Sequence, residues 1–240
     1  MAEIFVVASG KGGVGKSTFV AGISKGLAEL GKKVLAIDCD IGLRSLDLLF
    51  GYSDKVLFDW GDAVLGRCSP EDTVIRDEVD YIAAPRTYDD NFTPDKLKNL
   101  VDSLKWNYDY IFLDAPAGIG SGFRIAATCA EKAVAVTTPD SICVRSCSRA
   151  AEELEKMGIT DIKLIINMFE KKPVTKNKLL NIDECIDETS VQLLGVIPMD
   201  RTLAFASVTG EAPSEFSPSE QAFFRISKRI TGERVPLICE

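Results

Sequence analysis

The densest chemistry in the chain lies between Gly10 and Thr18. Nine consecutive positions hold Gly10, Lys11, Gly12, Gly13, Val14, Gly15, Lys16, Ser17 and Thr18. Gly10, Gly15, Lys16 and Ser17 satisfy the spacing G-x-x-x-x-G-K-[ST]. Glycines in such a loop let successive backbone N–H groups turn inward around phosphate oxygens, where side chains would block them. A helix opening near Lys16 adds unpaired amides and the positive end of its dipole. The spacing assigns Lys16 to the β- and γ-phosphates of a nucleotide and Ser17 to a magnesium ion. A glycine-rich turn that merely joins a strand to a helix is the plain alternative, and the flanking patterns argue against it. Lys11 is surplus to this pattern and needs a separate reason.

Carboxylates at two further places suit the same chemistry. Asp38 and Asp40 follow the apolar run KVLAID, and Asp114 ends the run in DYIFLD. Ligands of open α/β sheets collect outside the carboxyl ends of the strands, so all three acids are expected to converge on the glycine loop. A single aspartate at a turn is commonly just a solvated cap. Three at strand ends beside a phosphate loop are harder to dismiss.

These groups meet only if the chain delivers its strand ends to one edge. EIFVVAS (3–9), KVLAID (33–38), VDYIAAP (79–85), DYIFLDAP (109–116), KAVAVTTP (132–139), IKLIINM (162–168) and LLGVIP (193–198) are short, β-branched and apolar. They predict strands buried on both faces. Between the first two, Phe19, Val20, Ile23, Leu27 and Leu30 form a helical stripe that Gly31 stops. TPDKLKNLVDSL (93–104) opens with a Thr cap and proline, and SPSE (217–220) spells a capping box. Alternating strands and helices predict a single α/β domain over residues 1–240. Its mostly parallel, twisted sheet of about seven to eight strands carries helices on both faces, a P-loop NTPase architecture.

Composition narrows the partners. Lys and Arg total 28 against 36 Asp and Glu, a net charge of −8 that argues against nucleic-acid binding through phosphate neutralisation. The seven cysteines, at 39, 68, 129, 143, 147, 185 and 239, form no C-x-x-C pair, and there is no histidine to share a zinc site. They read as reduced, buried thiols of a cytoplasmic protein. The chain opens on a strand pattern rather than a signal peptide, and no apolar run reaches the ~18 residues of a spanning helix.

The loop also resembles the deviant Walker A form K-G-G-x-G-K-[ST] of the MinD/ParA family of ATPases. Within that family it is most similar to the MinD branch of division-site regulators. DCDIGLRSLDLLFG (38–51) looks like the first switch segment and DAPAGIG (114–120) like the second. TTPDSICVRSCSR (137–149), IINM (165–168), LGVIPMD (194–200) and ASVTGEAP (206–213) follow in family order, so the resemblance covers nearly the whole chain. It implies an ATP- and Mg²⁺-dependent ATPase, weak until it dimerises or meets a partner. By resemblance, Lys11 crosses an ATP-bound homodimer to the partner's nucleotide. Asp38 and Asp114 join the magnesium environment, and Asp40 the attacking water. Asn167 contacts the adenine edge, with Pro198 to Asp200 packing near the base. A protein partner that reads the dimer surface is implied as well.

Two departures stand out. Residues 121–123 read SGF where many relatives carry an acid, and the chain closes on ERVPLICE rather than on a basic amphipathic helix. No intrinsic membrane anchor is therefore expected, and membrane association would come through a partner. Three other readings stay open. A partition ATPase would need a basic DNA-facing surface; Arg225, Lys228, Arg229 and Arg234 cluster near the C-terminus, but a charged helix face is usually just solvated. A metal carrier would need convergent cysteines, with Cys143 and Cys147 one helical turn apart as candidates. A non-hydrolysing scaffold would not need Asp38, Asp40 and Asp114.

Overall fold

All seven expected strands form, and all are parallel. The computed structural model describes residues 1–171, 179–203 and 217–238. The strands are β1 (Glu3–Ala8), β2 (Val34–Asp38), β3 (Asp80–Ile82), β4 (Tyr110–Asp114), β5 (Lys132–Thr137), β6 (Asp161–Phe169) and β7 (Gln192–Pro198). They lie in the order β3-β2-β4-β1-β5-β6-β7. Because β1 is central, the loop that leaves it opens where connections diverge to the two halves of the sheet, the place where such folds bind ligands.

Strand side chains alternate between faces and build one apolar cluster on each. From β1, Phe5 and Val7 enter one cluster while Val6 and Ala8 enter the other. The first cluster is covered by α1 (Lys16–Glu29), α2 (Leu46–Phe50) and the last helix of the described residues, α8 (Pro218–Ile230). The second is covered by α3 (Trp60–Val64), α4 (Pro94–Leu104), α5 (Ser121–Ala127), α6 (Ser141–Lys156) and α7 (Ile182–Thr189). Helices therefore flank both faces, as the strand–helix alternation requires.

Helix α1 begins at Lys16, and Gly31, at φ 74°, takes the left-handed turn that ends it. Thr93 stands at the N-cap of α4, but its hydroxyl makes no capping bond. Ser217 does cap α8, accepting from the Glu220 N–H at 3.2 Å. Helix α8 lies along α1 through a smooth strip that sequence patterning did not reveal. A side chain at Gly22 would run into the Phe223 ring, and one at Gly26 into Ser227. The two bare positions, one helical turn apart, let the helices approach closely, with Phe19 and Phe223 rings 6.5 Å apart.

The basic residues of α8 are not uniformly solvated. The Arg229 guanidinium is part-buried and donates to the carbonyls of Leu194 and Val235, pinning the chain after α8 to strand β7. Phe223 and Ile226 are buried against the core, so the apolar face of α8 is already covered by its own domain. No helix among the described residues is long and apolar enough to cross a membrane.

Cys143 and Cys147 do not share a surface. Cys143 packs in the α1-side cluster and Cys147 in the opposite one, both buried. Burial also pushes the Cys147 thiol up to about 12, which suits packing better than metal ligation. Cys239 and the ASVTGEAP motif lie outside the described residues.

Phe223→Ala empties the ring from the Gly22 notch and is expected to cost about 3–5 kcal/mol. Urea denaturation measures this, and a loss below about 1 kcal/mol would mean that α8 is not part of the cooperative core.

Candidate functional site

Three strands deliver the site. Pairing of β2 with β4 places Asp38 directly beside Asp114, and pairing of β4 with β1 sets Asp114 beside Val7, just before the glycine loop. Both aspartates are fully buried. The Lys16 ammonium lies 2.5 Å from Asp114 Oδ1 and is itself nine-tenths buried. Thus Lys16, Asp38 and Asp114, the first residue of α1 and the last residues of two strands, converge as the sequence spacing anticipated.

Asp38 has a second task that the sequence did not disclose. Its Oδ1 accepts from the Asp40 N–H at 2.8 Å and its Oδ2 from the Leu46 N–H at 3.2 Å. One carboxylate therefore ties down both ends of the loop 40–46. Trp60, at the start of α3, adds a bond from its indole N–H to the Asp38 carbonyl at 2.9 Å. Arg44, in the middle of this loop, takes a left-handed conformation, φ 45°, that non-glycine residues rarely adopt.

Burial, with the adjacent Asp114 next, raises the Asp38 carboxyl far above the ordinary carboxylate range, to about 7. Lys16 and the two amide bonds only partly offset this. Asp40 is half-buried, and burial raises its carboxyl too, while Lys16 pulls it the other way. Asp40 therefore senses both Lys16 and Asp114.

The glycine loop is a cradle that side chains would fill. Gly13 and Gly15 have φ of 80° and 85°, and Gly15 is the N-cap of α1. A Cβ at Gly10 would overlap the Ser146 carbonyl on α6, and one at Gly15 would overlap the Asn167 amide. Val14 is buried, whereas Lys11, Gly12 and Gly13 are exposed. Ser17 and Thr18 lie half-buried in the first turn of α1. The Ser9 hydroxyl donates to the Lys11 carbonyl at 3.0 Å, and the Gly118 N–H to the Ser9 carbonyl at 3.0 Å. The last bond joins the glycine loop to the segment 114–120.

Asn167 reaches the loop through an irregularity in β6. The β6–β7 register shifts between Ile166 and Phe169, and Met168 sits at φ 55°. Such a bulge re-aims a side chain. Here it turns Asn167 inward, where its amide donates to the Val14 carbonyl at 2.8 Å. One N–H of the Asn167 amide thus supports the loop, which leaves its other N–H and its oxygen for a ligand. Pro198 ends β7 half-buried. The Asp200 carboxylate accepts from the hydroxyls of Thr202 at 2.6 Å and Ser219 at 2.7 Å. Burial alone would raise that carboxyl, but these bonds outweigh it and hold it well below the usual range. Asp200 therefore clamps the start of α8.

The arrangement fits a magnesium nucleotide on its own chemistry. Two carboxylates and one ammonium share a buried site. Asp114 Oδ2 is buried without a hydrogen-bond partner among the described residues. A hard cation held by one or two carboxylates, a hydroxyl and phosphate oxygens suits this donor set. Ser17, Asp38 and Asp114 are the residues that would hold it. Among the described residues, no group of three or more His, Cys, Asp or Glu forms an all-protein metal cage.

Residues 1–231 match the family model described as "ParA: NUBPL iron-transfer P-loop NTPase". The chain belongs to the ParA/MinD family of P-loop ATPases. Among its relatives, the septum site-determining protein MinD of Bacillus subtilis is 37% identical over 99% of this chain and 92% of its own length. The same protein of Synechocystis is 36% identical with the same coverage. The MinC:MinD cell division complex of Aquifex aeolicus contains a chain of similar fold, with a TM-score of 0.91 at 36% identity over 99% of each chain. MinD from Pyrococcus horikoshii, solved with Mg-ADP, superposes with a TM-score of 0.86 at 29% identity over 96% of each chain. The seven-stranded parallel sheet and the glycine loop are thus the ParA/MinD fold.

Removing Lys16 alone leaves Asp114 buried without its counter-charge, so Lys16→Met is expected to lower nucleotide-free stability by about 3–5 kcal/mol. Adding Asp114→Asn removes the orphaned charge and is expected to restore most of the loss. Chemical denaturation of both variants checks this, and equal stability of single and double variants would show that the pair carries no such weight.

Proposed function

We propose that the protein is an ATP-hydrolysing dimerisation switch of the MinD kind, acting in the placement or regulation of cell division. The observation that carries this reading is near-complete coverage by MinD proteins combined with an intact K-G-G-V-G-K-S loop facing Asp38 and Asp114.

In this reading the glycine-loop amides and the N-terminus of α1 bind the phosphates. Lys16 exchanges Asp114 for phosphate oxygens, and Ser17, Asp38 and Asp114 hold Mg²⁺. Held there, Mg²⁺ would supply positive charge against the transferred phosphoryl group. Asp40, on the loop tied by Asp38, orients the attacking water. Lys11 stands exposed with its backbone held by Ser9, free to reach the nucleotide of a second copy. A lysine supplied in trans acts like an arginine finger, coupling hydrolysis to dimerisation. Loss of the γ-phosphate releases loop 40–46 and segment 114–120, so a protein partner that reads those surfaces binds in an ATP-dependent way. Asn167 and the segment from Pro198 to Asp200 are the candidates for the base.

The family model's description names iron transfer, which would call for cysteines at a surface shared by two copies. The buried, divergent Cys143 and Cys147 do not support that alternative.

Lys11→Ala is expected to bind ATP as a monomer and fail to dimerise, while Asp40→Ala accumulates an ATP-bound dimer that turns over slowly. Size-exclusion chromatography with ATP, read alongside phosphate release, separates the two. A normal dimer from Lys11→Ala would remove the cross-subunit role.

Since α8 already buries its apolar face, the ATP-bound protein is expected to stay in the supernatant when spun with anionic liposomes. Sedimentation that depends on ATP rather than ADP would show intrinsic membrane attachment instead.

A further inference from the structure

Asp38 is held from one side by a residue that the nucleotide reading does not use. Strand β2 pairs with β3 only as far as Ile37 beside Ile82, while its pairing with β4 runs on to Asp38 beside Asp114. At Asp38 the strand has therefore lost one of its two neighbours. The Cys39 N–H donates to the Asp114 carbonyl at 3.0 Å. The C=O and N–H of one trans peptide point in opposite directions, so the Asp38 carbonyl faces the side where β3 has ended. A buried carbonyl needs a donor. Trp60 supplies it, its indole N–H donating to the Asp38 carbonyl at 2.9 Å with both residues fully buried.

Trp60 is itself fixed from several directions. Its backbone N–H donates to the Ala83 carbonyl at 3.1 Å, one residue past the end of β3. A single residue thus spans the ends of β2 and β3 with its two N–H groups. The ring meets Phe92 edge-on, 4.9 Å between centroids. Gly61 follows in a notch where a Cβ would run into Pro85 and Phe92. Asp59 caps the helix that Trp60 opens, accepting from the Asp62 N–H at 3.2 Å.

The peptide between residues 38 and 39 is therefore pinned at both ends, its carbonyl by Trp60 and its N–H by Asp114. Because the peptide is planar, turning it would swing the Asp38 side chain with it. The carboxylate so held lies beside Asp114 and ties the Asp40 and Leu46 amides. Without the indole bond a buried carbonyl is left unsatisfied, and the peptide is free to turn toward another donor. Magnesium demands near-ideal octahedral geometry, so two carboxylates that serve it tolerate little change in their spacing.

We propose that Trp60 is a positioning residue for magnesium: its indole N–H fixes the 38–39 peptide, and through it the spacing of the Asp38 and Asp114 carboxylates. This role rests on the reading that those two aspartates hold Mg²⁺, and it falls to a residue in neither the glycine loop nor the segments attached to it. Trp60 is also a large core side chain, so the N–H must be tested apart from the ring.

Isothermal titration of the full chain with ADP, in Mg²⁺ and in a chelator, gives the factor by which the cation strengthens nucleotide binding. In 3-benzothienylalanine a sulfur stands for the indole N–H and the shape is kept. Placing it at position 60 is expected to lower that factor about tenfold, the weight of one buried hydrogen bond. ADP affinity in chelator is expected to change by less than about twofold. Trp60→Phe should lower the factor at least as much, with a reduced melting temperature from the smaller ring. Phe223→Leu, which thins the core on the other face of the sheet, should reduce the melting temperature and leave the factor unchanged. In Asp38→Asn the factor falls, and adding the position-60 replacement should lower it no further. A factor untouched by benzothienylalanine, lowered equally by Phe223→Leu, or lowered as much in Asp38→Asn as in wild type would each overturn the proposal. If Asp38→Asn itself leaves the factor intact, the metal assignment of Asp38 falls and this role falls with it. If only the position-60 variants leave it intact, that assignment stands and Trp60 does no more than pack.

Discussion

The contact on which the site depends is the buried ion pair between Lys16 and Asp114, with Asp38 held beside it by strand register. Burying charge is costly unless it is paired, and here two acids share one base. The imbalance is expressed in Asp38, whose carboxyl burial and Asp114 raise to about 7. Phosphates that draw Lys16 away leave Asp114 without its partner unless a cation arrives with them.

Much of the surrounding structure holds these three groups in place. Asp38 ties both ends of loop 40–46, and Trp60 fixes the Asp38 backbone from α3. The β6 bulge brings Asn167 under the glycine loop, while Ser9 joins that loop to the segment after Asp114. Loop 40–46 and segment 114–120 are each attached to the phosphate site by hydrogen bonds as well as by packing. Bonds of that kind can be exchanged when the γ-phosphate comes and goes, without disturbing the apolar clusters on either face.

Residues whose role follows from local pattern were legible in the sequence. The seven strands, the glycine loop and the strand-end aspartates belong to this class, since short apolar runs and a fixed motif spacing encode them directly. Features that depend on which elements become neighbours were not. Gly22 and Gly26 accommodate Phe223 and Ser227 of a helix two hundred residues away in the chain. Arg229 looked like part of a solvated face, but its guanidinium reaches carbonyls on β7 and beyond α8. Cys143 and Cys147 share a helical spacing, and only the sheet's position between the two clusters shows that they diverge. Asn167 and Asp200 were placed by resemblance. The structure adds that the Asn167 amide supports the loop and that the Asp200 carboxylate clamps α8.

The central claim is that the site takes nucleotide and magnesium together, the cation answering Asp38 and Asp114 and the phosphates answering Lys16. Thermal unfolding with ADP, with Mg²⁺ and with both tests it most directly, since a ligand that binds only the folded state raises the melting temperature by mass action. The account predicts a large stabilisation by Mg-ADP, a small one by either component alone, and loss of the synergy in Asp38→Asn. Equal stabilisation by ADP in the presence of a chelator would contradict it.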